Sequence, residues 1–424
     1  MLTKLTFERF KNFEKAELIL GPLSLLIGTN ASGKSNIRDA FRFLHGISRG
    51  YTLADIMGEK YIEAGVLQWR GIRGGLREAT YRQAKRFALI INFNVQGMEG
   101  RYFIRVEPGT TRSQPRVVTE SLYCDKELIF ASHPRAPYES IKQVEPQHLK
   151  VRIPPGGNYR KEHVETFIAY QPVLSQIEER LVEKRNDDKA EEIRHFIAET
   201  ISMFDSMRFL DLNPEAMRRP SLPGQTILGD QGENLSSVLQ AICEDPRQKN
   251  ALVEWIKELT PMDATDFKFP TDQMGRILVS LIEENGQRIS AYSASDGTLR
   301  FLAMIAAFLG PEPARFYFFE ELENGLHPAR LHLLLQLIEQ QISKGNIQMV
   351  ATSHSPQLLR FLSPSSLDSA SLVYRLPNRS DARIRRILDI PDVRRVIKQH
   401  DLANLHESGW FEDAMVFDEP EIVK

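Results

Sequence analysis

Cysteine is scarce in this chain of 424 residues, which contains only Cys124 and Cys243, far apart in the sequence. Such a count excludes a fold built on disulfide bonds and a zinc site made of paired cysteines, and it is typical of buried thiols in a reducing compartment. An excess of either charge is also lacking, because the net charge is only −2. The surface as a whole is therefore not that of a basic nucleic-acid-binding protein, although a local basic face is not excluded.

Long apolar runs are absent as well. Residues 299–309 form the longest one, but they include Arg300 and fall short of the ~20 residues that a membrane-spanning helix needs. The first residues, MLTKLTFERFKNF, carry a charge every few positions and lack the layout of a signal peptide. We therefore expect a cytoplasmic protein without membrane association, and the length leaves room for two or three compact units.

A phosphate-binding loop is the clearest motif that the chain does contain. Residues 28–35 read Gly-Thr-Asn-Ala-Ser-Gly-Lys-Ser, which matches the pattern G-x-x-x-x-G-K-[ST] in full. The apolar run before it, residues 23–27, is typical of a buried strand, and residues 36–44 after it follow a helical period. Strand, glycine-rich loop and helix are the context that this motif requires, so a chance match in a turn is the weaker interpretation.

The loop predicts binding of ATP and Mg²⁺. Backbone N–H groups and the positive end of the following helix would hold the phosphates, Lys34 would reach the β- and γ-phosphates, and the Ser35 hydroxyl would bind Mg²⁺. The residues expected to contact the nucleotide are Gly28, Thr29, Asn30, Ala31, Ser32, Gly33, Lys34, Ser35 and Asn36.

Two acids end a very apolar strand near the C-terminal third of the chain. Residues 316–319 read Phe-Tyr-Phe-Phe and are followed directly by Glu320 and Glu321. Beside a phosphate-loop strand, Glu320 would support Mg²⁺ through water and Glu321 would orient or deprotonate the attacking water. A merely polar strand end is the alternative interpretation, and the phosphate loop argues against it.

Two further segments have both a functional and a plainly structural interpretation. Ser295 and Gly297 open an apolar helix and could bind an anion there, although an ordinary N-cap explains them equally well. His354 follows the apolar strand at 348–351 and could touch the γ-phosphate. Alternatively, Ser355 caps a helix that starts at Pro356 and His354 is merely exposed.

The order of these motifs resembles that of the ABC-type ATPases, and more narrowly their soluble branch, which includes the SMC, RecF and OLD proteins. Residues 320–328, Glu-Glu-Leu-Glu-Asn-Gly-Leu-His-Pro, are similar to Asp-Glu-Pro-Glu-Asn-Gly-Leu-His-Pro of AAA-domain ATPases in that branch. Many of those serve in bacterial anti-phage systems, such as the Septu-type and PARIS-type ATPases. The resemblance covers roughly residues 1–48 and 206–362.

By this resemblance, Ser295 and Gly297 belong to the signature segment, residues 324–326 to the D-loop, and His354 is the switch histidine. Two heads of the family dimerise head to tail, each ATP lying between the phosphate loop of one and the signature of the other. A homodimer or a higher oligomer is therefore implied. Three residues depart from the pattern: Glu320 replaces Asp, Leu322 replaces Pro, and Asp296 replaces the first signature Gly. Gln68 is a Q-loop candidate by residue type only.

The implied fold is α/β, an ATPase head whose mixed or parallel sheet is flanked by helices, with an antiparallel β lobe and a helical insertion. Alternating strands and helices after residue 206 favour the same class. We divide the chain into 1–106, the first part of the head, 107–205, an insertion with short strands and a helical hairpin, 206–362, the second part, and 363–424, a tail. Residues 163–204 are interpreted as amphipathic helix, broken near 186–188.

Three functions are compatible with these motifs. The first is the sensor ATPase subunit of an anti-phage complex that controls a separate nuclease or toxin, since no acid cluster suited to two metals follows His354. The second is a RecF-like repair ATPase that binds DNA directly, and the third is a nucleotide-gated scaffold with little hydrolysis, motivated by Glu320. A basic run near the C-terminus is interpreted either as a solvated helical face or as a nucleic-acid contact: Arg375, Arg379, Arg383, Arg385, Arg386, Arg394, Arg395 and Lys398.

Overall fold

Two large sheets organise the part of the chain that the computed structural model describes. The described residues are 1–62, 65–110, 113–132, 147–154, 163–181, 188–259, 264–345, 347–376, 379–397 and 399–418. One sheet has six strands and the other has eight, and two small sheets of three and two strands accompany them. The predicted fold class, a mixed sheet flanked by helices with an antiparallel lobe, is confirmed.

The six-stranded sheet carries the phosphate loop. Five of its strands run parallel and the last, at one edge, is antiparallel. In spatial order the strands are β12 (Met207–Leu210), β16 (Phe316–Phe319), β17 (Gln348–Ser353), β3 (Leu23–Ile27), β18 (Ser371–Arg375) and β19 (Ala382–Arg386). Every residue of β3, β16 and β17 is buried, as expected for parallel strands covered on both faces.

The eight-stranded sheet is antiparallel and forms the β lobe. Its strands are β11 (His163–Ile168), β10 (His148–Ile153), β9 (Glu127–Ala131), β8 (Arg116–Cys124), β7 (Met98–Glu107), β6 (Phe87–Val95), β1 (Leu2–Phe10) and β2 (Phe13–Ile19). The strands after residue 107 thus extend the sheet that β1 and β2 begin. The division of the chain into four units stays a prediction.

The interpretation of residues 163–204 as helix was wrong for its first part. β11 is a strand because β-branched Val164 and Thr166 alternate with polar residues, and because it pairs antiparallel with β10. The remainder is helical, as expected, in α3 (Val173–Leu181) and α4 (Asp188–Asp205). Of the predicted break, residues 186 and 187 lie outside the described residues.

The other helices cover the two sheets or lie at their edges. They are α1 (Lys34–Ser48), α2 (Leu53–Met57), α5 (Pro214–Met217), α6 (Leu235–Glu244), α7 (Pro246–Leu259), α8 (Asp296–Leu309), α9 (Pro328–Ser343), α10 (Pro364–Leu367), α11 (Val393–Val396), α12 (Leu402–Glu407) and α13 (Trp410–Asp418). The small sheets contain β4 (Lys60–Ile62), β5 (Val66–Trp69), β13 (Ala264–Lys268), β14 (Ser280–Glu283) and β15 (Arg288–Ser290).

Helix α1 lies between the two large sheets. Its Phe41 ring packs 4.9 Å from the ring of Phe316 and 6.0 Å from that of Phe318. On the opposite face of the same strand, Tyr317 and Phe319 join a second core with helices α6 to α9. Because side chains alternate across a strand, β16 is held by apolar packing on both faces.

The basic run is not one helical face. Arg383, Arg385 and Arg386 lie on strand β19, so the helical interpretation was wrong for them. Arg383 pairs with Asp381 at 3.0 Å and Arg386 with Asp389 at 2.7 Å. Lys398 lies outside the described residues. The acids within the run therefore neutralise part of its charge.

A buried carboxyl group joins the β lobe to helix α3. Glu120 on β8 accepts hydrogen bonds from the backbone N–H groups of Val173 and Leu174, both at 2.7 Å, and from the Tyr102 hydroxyl at 2.9 Å. Burial raises the pKa of Glu120 to about 7, although these hydrogen bonds oppose the shift. The side chain thus caps a helix start at the expense of desolvation.

We predict that Glu120 makes the protein less stable as the pH rises from 5 to 7.5. Between its ordinary pKa near 4.5 and its folded pKa near 7, the folded state binds more protons than the unfolded state, so the free energy of unfolding falls with pH. Denaturant titrations at pH 5 and pH 7.5 measure this fall in the free energy of unfolding. The fall should be smaller in Glu120→Gln and unchanged in the exposed control Glu14→Gln. An unchanged slope in Glu120→Gln would contradict the assignment.

Candidate functional site

The phosphate-loop pattern folds as a tight turn between β3 and α1. A Cβ atom at Gly28 would lie 2.1 Å from the Val373 carbonyl oxygen, and one at Gly33 would lie 2.8 Å from Nδ2 of Asn12. Neither position has room for a side chain, so the glycines are required by close approach of neighbouring segments. The exposed residues of the loop are Thr29, Asn30 and Ala31. The loop ends at Lys34, where α1 begins.

Lys34 lies inside this turn. Its side chain is only 6% exposed, and Nζ donates to the carbonyl oxygens of Gly28 and Thr29, the latter at 3.0 Å. Burial lowers the pKa of Lys34 to about 8, while the charges of Glu323 and Glu321 act in the opposite direction. The ammonium group therefore sits in a desolvated cradle of carbonyls, where an anionic ligand would stabilise its charge.

The acids that end β16 lie two strands from the phosphate-loop strand β3, with β17 in between. The Glu320 carboxylate pairs with Arg38, which lies on α1 one turn beyond Ser35. Glu321 has a left-handed backbone with φ of 50°, and its N–H donates to the Thr352 hydroxyl at 3.0 Å. The conformation turns the Glu321 carboxylate away from the strand direction and toward the end of β17.

His354 connects Lys34 with Glu321. Its Nδ1 is 3.4 Å from Nζ of Lys34, and its Nε2 is 3.7 Å from a carboxylate oxygen of Glu321. Asn324 also donates to the Glu321 carboxylate, at 2.9 Å. The structure therefore brings together the predicted lysine, histidine and second glutamate. Pro356 begins a 3-10 helix as the alternative interpretation expected, but the Ser355 side chain makes no capping hydrogen bond.

Ser295 and Gly297 lie apart from the loop of their own chain. Ser295 caps α8 by accepting from the Thr298 N–H at 3.1 Å, as the structural interpretation expected. A Cβ atom at Gly297 would lie 2.6 Å from the Gly325 carbonyl oxygen, so this helix start packs against residues 324–326. Among the described residues, no hydrogen bond joins Ser295 or Gly297 to residues 28–36.

Three residues of the site were missed in the sequence. Glu323 accepts from the backbone N–H groups of His354, at 2.6 Å, and Ser355, at 2.9 Å, and so fixes the histidine segment. Asn12 donates to the Ser32 carbonyl at 3.3 Å and accepts from Asn36 at 2.7 Å. The third is Arg38. Glu323 lies within the motif at 320–328, whereas Asn12 and Arg38 carry no local signal.

The loop fits a nucleotide phosphate, on three observations. The glycine positions leave no room for side chains, the Lys34 ammonium has carbonyl partners, and the buried Ser32 hydroxyl has no hydrogen-bond partner among the described residues. No cluster of three or more His, Cys, Asp or Glu side chains in the described ranges could hold a metal alone. A metal here would therefore share its coordination with ligand oxygens and water.

The parallel sheet and its loop define a phosphate-loop α/β protein with two consecutive glutamates at the end of β16, the second strand from the loop strand. The chain belongs to the AAA-domain ATPase family described as "AAA domain, putative AbiEii toxin, Type IV TA system", whose model matches residues 23–360. No helix within the described residues combines the length and the apolar character needed to cross a membrane.

Individual known proteins resemble the chain either over a short segment or at low sequence identity. An "ATP/GTP phosphatase" of Helicobacter pylori (strain ATCC 700392 / 26695) is 30% identical over 97 residues, which are 22% of this chain and 25% of that protein. The match thus spans about a quarter of that relative. An SMC head bound to the C-winged helix domain of ScpA has a TM-score of 0.47 and 14% identity, covering 91% of this chain and 96% of that one. The SMC head domain from Thermotoga maritima has a TM-score of 0.42 and 12% sequence identity, and the match covers 91% of this chain and 98% of that one.

We predict that Lys34→Ala loses ATP binding. The change removes the buried ammonium, and a hydrogen bond to a charged group contributes about 1.5–3 kcal/mol, or roughly tenfold to over a hundredfold in Kd. Calorimetric titration with a non-hydrolysable ATP analogue would measure it, with exposed Lys15→Ala as the control. Retained affinity in Lys34→Ala would contradict the assignment of residues 28–36.

Proposed function

We propose that the chain is an ATP-binding and ATP-hydrolysing ABC-type switch ATPase, and that it is the regulatory subunit of a bacterial anti-phage defence complex. The observation that carries the enzymatic part is the line from Lys34 through His354 to Glu321, at 3.4 and 3.7 Å. The family membership and the relative named ATP/GTP phosphatase support nucleotide hydrolysis.

The loop residues would bind and orient the triphosphate. Backbone N–H groups of residues 28–36 and the start of α1 supply donors, and Lys34 exchanges its carbonyl partners for phosphate oxygens. Asn12 braces the loop through Ser32 and Asn36. This arrangement holds the phosphates in place before any reaction, which lowers the entropic cost of the transition state.

Ser35 and Glu320 would hold Mg²⁺, Ser35 through its hydroxyl and Glu320 through water. Bound Mg²⁺ would neutralise phosphate charge and orient the terminal phosphate. Glu320 is paired with Arg38 in the structure, so its carboxylate must be shared with, or released from, this arginine. The longer side chain in place of Asp makes such a shared position reachable from the strand end.

Glu321 would orient or deprotonate the attacking water. Its carboxylate accepts from Asn324 and lies near the ring of His354, and the side chain is about half exposed. His354 would donate to the terminal phosphate, in a segment that Glu323 holds through two backbone N–H groups. These residues position the proton acceptor and the phosphate relative to each other.

A second copy of the chain would complete each site. Gly297 packs on Gly325, and neither Gly297 nor Ser295 makes a hydrogen bond to the described loop of its own chain. A head-to-tail homodimer, or a higher oligomer of such pairs, would bring the two residues to the nucleotide of the partner. ATP would thereby control the association of the heads.

The switch would act in the cytoplasm on a separate effector, a nuclease or toxin. The family description links these ATPases to a toxin–antitoxin system, although it names the family itself, and not a second protein, as the putative toxin. A nucleotide-gated scaffold with little hydrolysis is a second candidate, favoured by the Arg38–Glu320 pair. A RecF-like ATPase that binds DNA directly is the third, and the partly neutralised basic run gives it less support.

We predict that Glu321→Gln traps an ATP-bound dimer. Loss of the general base should lower the rate of phosphate release by about 10²–10⁴-fold while leaving ATP binding intact. Phosphate release would measure the rate, and light scattering with and without ATP would detect the dimer. Exposed Glu284→Gln is the control. Hydrolysis at the wild-type rate would exclude Glu321 as the catalytic carboxylate.

The biological role is tested by purifying the natively expressed protein together with whatever co-elutes, followed by mass spectrometry. A nuclease or toxin in stoichiometric amount is the expected result. A lone protein with salt-dependent DNA binding would instead favour the repair ATPase, since phosphate contacts weaken steeply with salt.

A further inference from the structure

A second cavity lies at the far end of helix α1 from the phosphate loop. It has a volume of about 570 Å³ and is bounded by the last turns of α1, strand β5, strand β12 and residues 227–233. Arg42, the first cavity residue on α1, lies eight positions after Lys34 along the helix, which corresponds to a rise of about 12 Å. The cavity is therefore separate from the nucleotide site, and its size is that of a small-molecule pocket.

The cavity is lined by more cations than anions. Four arginines face it, against the two carboxylates of Asp230 and Glu233. The arginines are Arg42, Arg49, Arg70 and Arg208. Arg42 pairs with Asp230 at 2.9 Å, and Arg49 pairs with Asp205 at 2.8 Å. Arg208 donates to the backbone carbonyl oxygens of Asp205 and Met207. These oxygens carry no net charge, so these two contacts do not neutralise the guanidinium group.

His45 lines this cavity and has a buried ring nitrogen that can donate. Its Nε2 is 3.1 Å from Nε of Arg49, which can only donate, so Nε2 accepts and the neutral ring carries its proton on Nδ1. Nδ1 is buried and has no partner among the described residues. Burial, followed by the charges of Arg49, Arg208 and Arg42, lowers the pKa of His45 to about 3, consistent with a neutral ring in a positive field.

Arg42 presents a second such donor. Its Nε is buried without a partner in the described part of the chain, and the residue is only 9% exposed, against 7% for His45. A buried N–H group that lacks an acceptor costs about 1–3 kcal/mol. Both donors belong to residues that line the cavity, and anionic oxygens, such as those of a phosphate group, would satisfy them.

Apart from Gln68, the rest of the wall consists of apolar and aromatic residues. Arg42 stacks over the rings of Trp69, at 5.3 Å, and Phe209, at 5.4 Å, which fixes its guanidinium group in place. Leu67 and Ile227 also line the cavity and are both 38% exposed. A fitting ligand would place an anionic group beside the arginines and a less polar part beside these side chains. The volume of the cavity suits a ligand of nucleotide size.

We propose that this cavity is a second binding site, which takes a small phosphorylated ligand of nucleotide size with its phosphate on Arg42, Arg49, Arg70 and His45. The site does not depend on the proposed ATPase activity. Because α1 carries Lys34 at one end and the cavity residues at the other, a ligand here contacts the helix that also holds the phosphate loop.

The test uses the full chain with Lys34→Ala, so that binding at the phosphate loop does not contribute. Adenosine 5′-monophosphate is titrated by calorimetry, beside adenosine, inorganic phosphate and a 5′-phosphorylated oligonucleotide. We expect one equivalent of the monophosphate per chain and much weaker binding of adenosine. Tighter binding of the oligonucleotide with the same arginine dependence would identify a strand end, rather than a free nucleotide, as the source of the phosphate.

Two exposed arginines supply the variants, because replacing buried Arg42 could unfold the chain. Arg49→Ala and Arg70→Ala should each weaken monophosphate binding about tenfold or more, since each removes a charged donor. Exposed Arg77→Ala, outside the cavity, is the matched control and should bind as the parent does. Absence of binding by both the monophosphate and inorganic phosphate at millimolar concentration would overturn the proposal, as would unchanged affinity in both variants.

Discussion

The burial of helix α1 between the two sheets is the constraint on which the rest of the structure depends. Phe41 packs against Phe316 and Phe318 of β16, and the same helix begins at Lys34. Close packing of this kind leaves little freedom for α1 to move relative to the strand end. The phosphate loop and Glu321 therefore keep their relative positions, which is what a site for phosphoryl chemistry requires.

Local patterns predicted the elements that are contiguous in the chain. Strands β3 and β16 and the helix after the phosphate loop lie where apolar runs and periodicity placed them. Strand β11 was mistaken for helix because the helical pattern of the residues after it was extended back over the alternating Val164 and Thr166. No local pattern indicated that Arg38 meets Glu320 or that Asn12 braces the loop, because these contacts join residues that are apart in the chain. The roles of the predicted site residues remain predictions.

Charge in the site is arranged in two layers. Lys34 and His354 form the layer nearest the loop, and Glu321 and Glu323 stand behind them. Desolvation of Lys34 and the field of these acids act in opposite directions on its pKa, so the arrival of phosphate anions would favour the charged ammonium. Glu320 stands outside this balance because Arg38 engages it. In the proposed function, Arg38 and a metal would compete for Glu320.

In the proposed function, a single chain holds only half of the ATP-hydrolysing site. The most direct measurement is phosphate release per chain as a function of protein concentration, at saturating ATP and Mg²⁺. If two heads share each site, the specific activity should rise with protein concentration and reach a plateau once the heads are paired, as mass action requires. A specific activity that stays constant and substantial down to concentrations at which light scattering detects only monomers would contradict it.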